Sequence, residues 1–393
     1  MIPAHRIVFT DEEVELAMAR TEDIMRSGQV ILGSYTEAFE KEYAKLHGRK
    51  YGVAVASDTA AIEIALRIYG INEGKHVLFP ANGFYGVVIP ILRCGAKPIF
   101  FDVNIEENVF ATEQQIEKLI REYYCSALIL MHTGGLVASR SKQIAEVCKK
   151  YGIVCIEDAA HAPGAKMNGQ YAGSFGDISC FSLYATKPIN AGEGGILLTD
   201  NKEHYELAKT YRNYGRVSTF GTSVCQVQGY SWRLTEIQAA IGLEQVRRQD
   251  EISKERNSLA FVYDAMVKEK LNEHGIYTYE YAKGTEPNWY RYLVMLPEEF
   301  TQEDKVHLKK FMKEVKGVEM PGDVYEMPVP YQPVYGDEYA EQSFPIASDW
   351  CNRHLALPIY NTLTHAEMAQ VVEGLADYME FTKYPVFAGE NDV

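Results

Sequence analysis

Hydrophobic positions in the first fifty residues recur at the spacing of one helix face, and polar signals bracket them. Thr10-Asp11-Glu12-Glu13 has the form of a capping box, in which a hydroxyl and a carboxylate three residues apart satisfy each other's backbone amides. Val14, Leu16, Ala17 and Ile24 follow, so a helix is expected to about Gly28. A second is expected from Ser34, with Glu37 as capping partner, Phe39, Tyr43 and Leu46 at helical spacing, and a stop at Gly48.

From Tyr51 the pattern changes to short, almost wholly apolar runs at 51–56, 76–80, 98–103, 127–131 and 153–156. Amphipathic stretches of helical period lie between them at 59–69, 113–124 and 142–151. Runs apolar on both faces suit strands covered by helices on both sides, which predicts an α/β fold with a mostly parallel sheet. Residues 180–184 and 195–199 read as two further strands.

After Asp200 a helical stretch to Tyr214 and one long helix over 234–268 are expected, the latter linking two units. Strands at 277–281 and 292–296, helices at 302–315 and 365–378, and a Pro-rich loop over 320–333 make up the remainder. Residues 1–245 are thus expected to form a large domain, and 246–393 a smaller α+β domain, as suits a chain of 393 residues.

Composition removes whole classes of function. Apolar residues at 47% and charged residues at 24% are those of a folded globular protein. A net charge of −15 repels polyanions and anionic bilayers, so neither nucleic acid nor membrane is an expected partner. The most apolar stretch, 77–101, is broken by Pro80, Asn82, Pro90, Arg93 and Lys97, and no secretory signal is visible, so a cytoplasmic location is expected. Seven cysteines without a C-x-x-C pair point to neither disulfides nor zinc.

Four polar clusters interrupt the apolar pattern. Ser57-Asp58-Thr59 stands between a strand and a helix, where Asp58 or Thr59 is either a simple N-cap or part of a phosphate site on the helix N-terminus. Glu157-Asp158-Ala159-Ala160-His161 ends another strand, at the edge where open α/β sheets bind ligands; an N-cap aspartate is the plainer reading. Lys187 follows the run 180–184 and precedes Gly192-Glu193-Gly194-Gly195; it is either a solvated lysine or, near a low-dielectric sheet edge, an amine with the lowered pKa that Schiff-base chemistry needs. Gly229-Tyr230-Ser231-Trp232-Arg233-Leu234-Thr235-Glu236 opens the long helix and reads equally as packing between units.

In order and register these blocks, with Gly173-Ser174-Phe175-Gly176-Asp177 and Phe181 to Lys187, resemble the DegT/DnrJ/StrS-type sugar aminotransferases, a branch of the fold-type I superfamily, over residues 31–378. The resemblance implies a pyridoxal 5'-phosphate (PLP) cofactor, passing through pyridoxamine 5'-phosphate, with Lys187 holding it as a Schiff base and Asp158 on its pyridine nitrogen. It further implies that Ser182 and Thr59 hold the phosphate and Phe84 stacks on the ring. Three positions depart from the family pattern: Asp58 replaces glycine, His161 replaces the glutamine at the cofactor's phenolic oxygen, and Ser231 replaces an asparagine that reaches the neighbouring subunit's phosphate.

The function so implied is transfer of an amino group from glutamate or glutamine to a keto-sugar, by a homodimer with active sites at its interface. A deoxysugar dehydratase on the same fold and a regulatory homologue without chemistry are the alternatives. Histidine replaces the lysine in the family's dehydratases, whereas this chain keeps Lys187.

Overall fold

Helix α1 (Asp11–Ser27) begins at the expected capping box in the computed structural model, which describes residues 1–219, 222–335, 339 and 341–382. The Glu13 N–H donates to Thr10 Oγ1 at 3.2 Å and the Thr10 N–H to Glu13 Oε2 at 2.7 Å. The helix stops at Gly28, whose φ of 72° is the left-handed conformation glycine adopts without strain.

The second helix, α2 (Ser34–Leu46), is capped differently from expectation. Its N-cap is Gly33, and no side chain of its own first turn caps it. Instead the Glu236 carboxylate accepts the N–H groups of Gly33 (2.8 Å), Tyr35 (2.9 Å) and Thr36 (2.9 Å). One buried charge thus satisfies three orphan donors and complements the helix dipole.

The central layer is a sheet built from β1 (Tyr51–Val55), β2 (His76–Pro80), β3 (Lys97–Phe101), β4 (Ala127–Met131), β5 (Val154–Asp158), β8 (Ile178–Ser182) and β9 (Gly195–Thr199). The order across it is β1-β9-β8-β5-β4-β2-β3, parallel except for β9, which runs against both neighbours. The short β6 (Lys166–Met167) and β7 (Gln170–Tyr171) form a separate ribbon.

Helices α3 (Asp58–Ile68), α4 (Tyr85–Arg93), α5 (Glu113–Tyr123), α6 (Ser141–Tyr151) and α7 (Lys202–Tyr211) cross between strands. Helix α4 was hidden within the apolar stretch because it lacks a polar face. It buries Val87, Val88 and Ile91 against the core while Tyr85, Ile89 and Leu92 face solvent. A hairpin, β10 (Arg216–Thr219) with β11 (Thr222–Cys225), leads away from α7.

The single long helix expected over 234–268 is two: α8 (Glu236–Arg247) and α9 (Gln249–Lys270), parted at Arg248 with φ −92° and ψ 5°. Beyond them β12 (Tyr277–Thr278), β14 (Tyr292–Met295) and β15 (His354–Leu357) make an antiparallel sheet, while β13 (Thr285–Glu286) pairs with β6. Strand β12 is shorter than expected.

Helices α10 (Gln302–Glu314) and α12 (His365–Thr382) join α9 around a second apolar core that includes Tyr263, Tyr292, Leu308 and Leu375. Helix α11 (Pro345–Arg353) and β15 after it were not expected from the hydrophobic pattern. Among the described residues no helix is long and apolar enough to cross a membrane.

Candidate active site

The turns leaving β1, β2, β4, β5 and β8 surround a cavity of about 440 Å³. Carboxyl ends of parallel strands are where α/β sheets place ligands, because side chains there are held by the sheet yet free of its ladder. Lys187, Asp158, Asp58, Thr59, Phe84, His161 and Ser182 all line this cavity. Ser231 does not; its Oγ accepts from Arg233 at 2.7 Å, on a bridge to Asn213.

Lys187 sits in a tight turn after β8, its N–H donating to the Tyr184 carbonyl at 2.9 Å. It is 8% exposed, and its Nζ lies 4.2 Å from the centre of the Tyr290 ring. Burial pushes the amine's pKa down and Arg291 adds to this, while Tyr290 and Asp158 oppose it. A lowered pKa is what an amine needs to act as nucleophile and base.

Asp158 ends β5 and is 3% exposed. Its Oδ1 accepts the Ala160 N–H at 3.1 Å, and it has no ion pair among the described residues. Burial raises its pKa against Ala160, Lys187 and His132. Its neighbour Glu157, expected only as part of the same motif, faces the other way and anchors the loop 173–176.

The start of α3 is capped by Ser57, not by Asp58 or Thr59: the Ala60 N–H donates to Ser57 Oγ at 3.1 Å. Gly195 permits the close seat of this helix on β9, since a Cβ there would stand 2.4 Å from the Ser57 carbonyl carbon. Asp58 Oδ1 is buried with no hydrogen-bond partner. Burial, then the charge of Asp158, push its carboxyl well above the usual range, against Lys187. The neutral form, toward which burial moves Asp58, does not repel a phosphate.

His161 also resolves plainly. The Gly134 N–H donates to its Nδ1 at 3.3 Å, which assigns the ring proton to Nε2. Burial, then Lys187 and Arg291, hold its pKa well below the ordinary value, so the imidazole stays neutral and keeps one donor. Phe84 begins α4 with 40% exposure, 6.3 Å ring to ring from Tyr325.

These groups suit PLP. A buried amine, an under-paired buried carboxylate, a helix N-terminus flanked by the Thr59 and Ser182 hydroxyls, and an exposed aromatic ring are the donors its aldehyde, pyridine nitrogen, phosphate and ring face require. The family model for DegT/DnrJ/EryC1/StrS aminotransferases matches residues 11–376. The chain belongs to this family. It is a PLP-dependent aminotransferase of fold type I.

The aminotransferase is 30% identical over 360 residues to a pleiotropic regulatory protein of Geobacillus stearothermophilus, covering 91% of this chain and 92% of that one. It is 28% identical to the GDP-perosamine synthase of Escherichia coli O157:H7, covering 96% and 98%. Among solved structures, NtdA from Bacillus subtilis with bound cofactor PMP superposes with a TM-score of 0.83 at 26% identity, covering 95% of this chain and 83% of that one.

Sequence reasoning about the aminotransferase missed Tyr290, Arg291, Asp323 and Tyr325, which reach the same cavity from outside the main sheet. Asp323 and Tyr325 fall in the Pro-rich loop expected over 320–333. Tyr290 and Arg291 precede β14, where an aromatic-rich run reads simply as core.

Proposed function

We propose that the enzyme moves an amino group from glutamate or glutamine to the ketone of a nucleotide-linked or phosphorylated sugar, in the cytoplasm. The observation that carries this reading is the buried Lys187 amine facing the same cavity as the buried Asp158 carboxylate. The sugar acceptor is supported by the relative named GDP-perosamine synthase. When bound, PLP supplies an electron sink for the charge left on carbon as a proton departs.

Within this reading Asp158 keeps the pyridine nitrogen protonated, and Ser182, Thr59 and the first amides of α3 hold the phosphate. Phe84 covers a ring face, and His161 Nε2–H donates to the phenolic oxygen. Lys187 holds the cofactor at rest; once displaced, its Nζ takes the proton from the donor's α-carbon and returns it during transfer.

The reading divides the chain into a cofactor domain over 1–245 and a smaller one over 246–393 that brings Tyr290, Arg291 and Tyr325 to the cavity. It also makes the enzyme a homodimer with composite sites. The solvent-facing apolar stripe Tyr85, Ile89 and Leu92 of α4 supports a second copy packing near the cavity mouth.

Borohydride reduction of purified holoenzyme, digestion and mass spectrometry are expected to place one pyridoxyl group on the peptide containing Lys187. Glutamate should bleach the bound aldehyde form, and a keto-sugar should restore it with nitrogen retained in the product. Labelling at Lys166 or Lys142, or release of water with no amine in the product, would overturn the proposal.

A further inference from the structure

The Lys187 amine shares its cavity with two carboxyls and pairs with neither. Asp58 and Asp158 line the same cavity, yet among the described residues no ion pair joins either of them to Nζ. Nζ lies instead over the Tyr290 ring, 4.2 Å from its centre, where the negative π face attracts a cation. The same ring carries a second cation, with Arg291 Cζ 4.6 Å from its centre. Two like charges at the cavity wall are thus both met by one quadrupole.

The ring is fixed from several sides. Tyr290 is 7% exposed, and its hydroxyl lies 3.1 Å from Oγ1 of Thr186, the residue next to Lys187, so ring and amine are registered through adjacent positions of one turn. The Tyr290 N–H donates to Asn288 Oδ1 at 2.9 Å, and the buried Asn288 donates from Nδ2 to the carbonyls of His161 (2.9 Å) and Pro163 (3.0 Å). Arg256 on α9 donates to the Trp289 carbonyl at 3.0 Å. Gly135 leaves room for this backbone, since a Cβ there would stand 2.7 Å from the Tyr290 nitrogen.

A lysine freed from the cofactor has a long, flexible stem and a carboxylate in the same cavity to attract it. Pairing with Asp158 would hold the amine protonated and draw Asp158 away from the pyridine nitrogen. A π face attracts the ammonium without supplying a counter-charge, so the proton stays transferable. The other groups that act on Lys187, or are acted on by it, are Asp58 at the start of α3, Asp158 at the end of β5, His161 after it and Arg291 before β14. Arg248 and Arg256 line the cleft behind, with His5 and Arg6 of the N-terminal segment.

We infer that the Tyr290 ring is the seat of the Lys187 amine whenever that amine is not bonded to the cofactor, which makes Tyr290 a positioning residue for the proton carrier of the reaction. The ring keeps Nζ at the cavity wall, apart from the acids, while it holds a proton. The inference rests on the aminotransferase reading above, in which Lys187 takes and returns that proton.

The test uses holoenzyme loaded with pyridoxamine 5'-phosphate, in which Lys187 is free, as wild type, Tyr290→Phe and Tyr290→Leu. Phenylalanine keeps the ring and removes the phenol, whose own pKa burial raises but Lys187 and then Arg291 draw down to about 8. Leucine removes the ring as well. Lysine carrying carbon-13 at Cε reports the titration of Lys187 by NMR, its signal assigned by its loss in Lys187→Ala. Because the π face favours the charged amine, the Lys187 pKa in Tyr290→Leu is expected about 0.4–1.5 pH units below that in Tyr290→Phe. In a single turnover with 2-oxoglutarate, Tyr290→Phe should keep most of the wild-type rate and Tyr290→Leu lose at least about tenfold, with equal pyridoxamine phosphate content.

Equal Lys187 pKa values in Tyr290→Phe and Tyr290→Leu, or a higher one in Tyr290→Leu, overturn the inference, as does a Tyr290→Leu turnover as fast as that of Tyr290→Phe. If Tyr290→Leu fails to hold pyridoxamine phosphate, 3,4,5-trifluorophenylalanine at position 290 decides, because it keeps the outline of phenylalanine and weakens its π face; a Lys187 pKa unchanged from Tyr290→Phe then overturns the seat. Bleaching of the wild-type aldehyde form by glutamate is the separate control. Its absence would sink the aminotransferase reading, whereas the NMR titration needs no turnover.

Discussion

Exchanging Glu157 for glutamine removes a charge that holds up the cavity wall without touching its contents. Glu157 is 0% exposed, and alternation along β5 turns it away from the cavity that Asp158 faces. Its Oε1 accepts the N–H groups of Phe175 at 2.7 Å and Gly176 at 2.6 Å; its Oε2 accepts Gly173 at 2.8 Å and His132 Nε2 at 2.9 Å. The Ala138 N–H donates to His132 Nδ1 at 3.2 Å, which leaves the ring proton on Nε2. Glutamine keeps the outline, but whichever way its amide turns, its NH2 meets two donors. Losing two hydrogen bonds to a charged acceptor, at about 1.5–3 kcal/mol each, costs roughly 3–5 kcal/mol once partial relaxation is allowed. That is a large share of a typical 5–15 kcal/mol, roughly, of folding stability.

The pH dependence gives the same argument a sign. Burial alone would raise the Glu157 carboxyl, but the hydrogen bond from His132, then the charge of Arg49 and the Gly176 amide, hold it below its usual 4.5. A carboxyl depressed in the folded state stabilises above its unfolded pKa, and that stabilisation is lost as pH falls through the folded value. Urea unfolding of wild type and Glu157→Gln, followed by tryptophan fluorescence, should therefore show the full gap at neutral pH and a shrinking one below 4.5. A gap under about 1 kcal/mol at neutral pH, or one that widens on acidification, refutes the reasoning.

The raised carboxyl of Asp58 predicts the opposite trend. Its stabilising contribution is present below 3.8 and lost as pH rises through the folded value, so Asp58→Asn should be more stable than wild type near neutral pH, equal to it in acid, and no weaker in PLP affinity. Thermal unfolding across pH checks this, and a variant less stable near neutral pH contradicts it. Sedimentation equilibrium should find a dimer, and a fully active monomer would contradict the composite site; Ser231→Asn, which lengthens the side chain, should leave PLP affinity level or raise it.

What the sequence made legible was whatever local physics decides. Strands buried on both faces must be apolar throughout, so β2, β4 and β9 appear within a residue or two of their bounds. Strand β5 runs on to Asp158, two residues past its apolar run, because Glu157 and Asp158 are buried by partners no local pattern announces. The cap of α2 was misread for the same reason: Glu236 lies 200 positions along the chain from Thr36. Helix α8 and helix α9 read as one because the break falls at Arg248, a good helix former, with no Gly or Pro to mark it.

The active site divides along the same line. Lys187, Asp158, Ser182 and Thr59 each stand a fixed step from a strand end, and a strand end is visible in sequence, so their meeting in one cavity followed from topology. Tyr290 and Arg291 stand in the chain between Trp289 and Tyr292 of the second core, Tyr325 packs in the first, and nothing in their local pattern separates a cavity-lining aromatic from a core one. The departures at Asp58 and His161 show how far such packing reaches. A carboxylate in place of glycine and an imidazole in place of an amide look disruptive when each is given its charge in water. Burial raises the pKa of the one and lowers that of the other, so each is moved toward its neutral form at the cavity wall. Residue identity and burial thus act together on the charge at a position, and only the first of them is written in the local sequence.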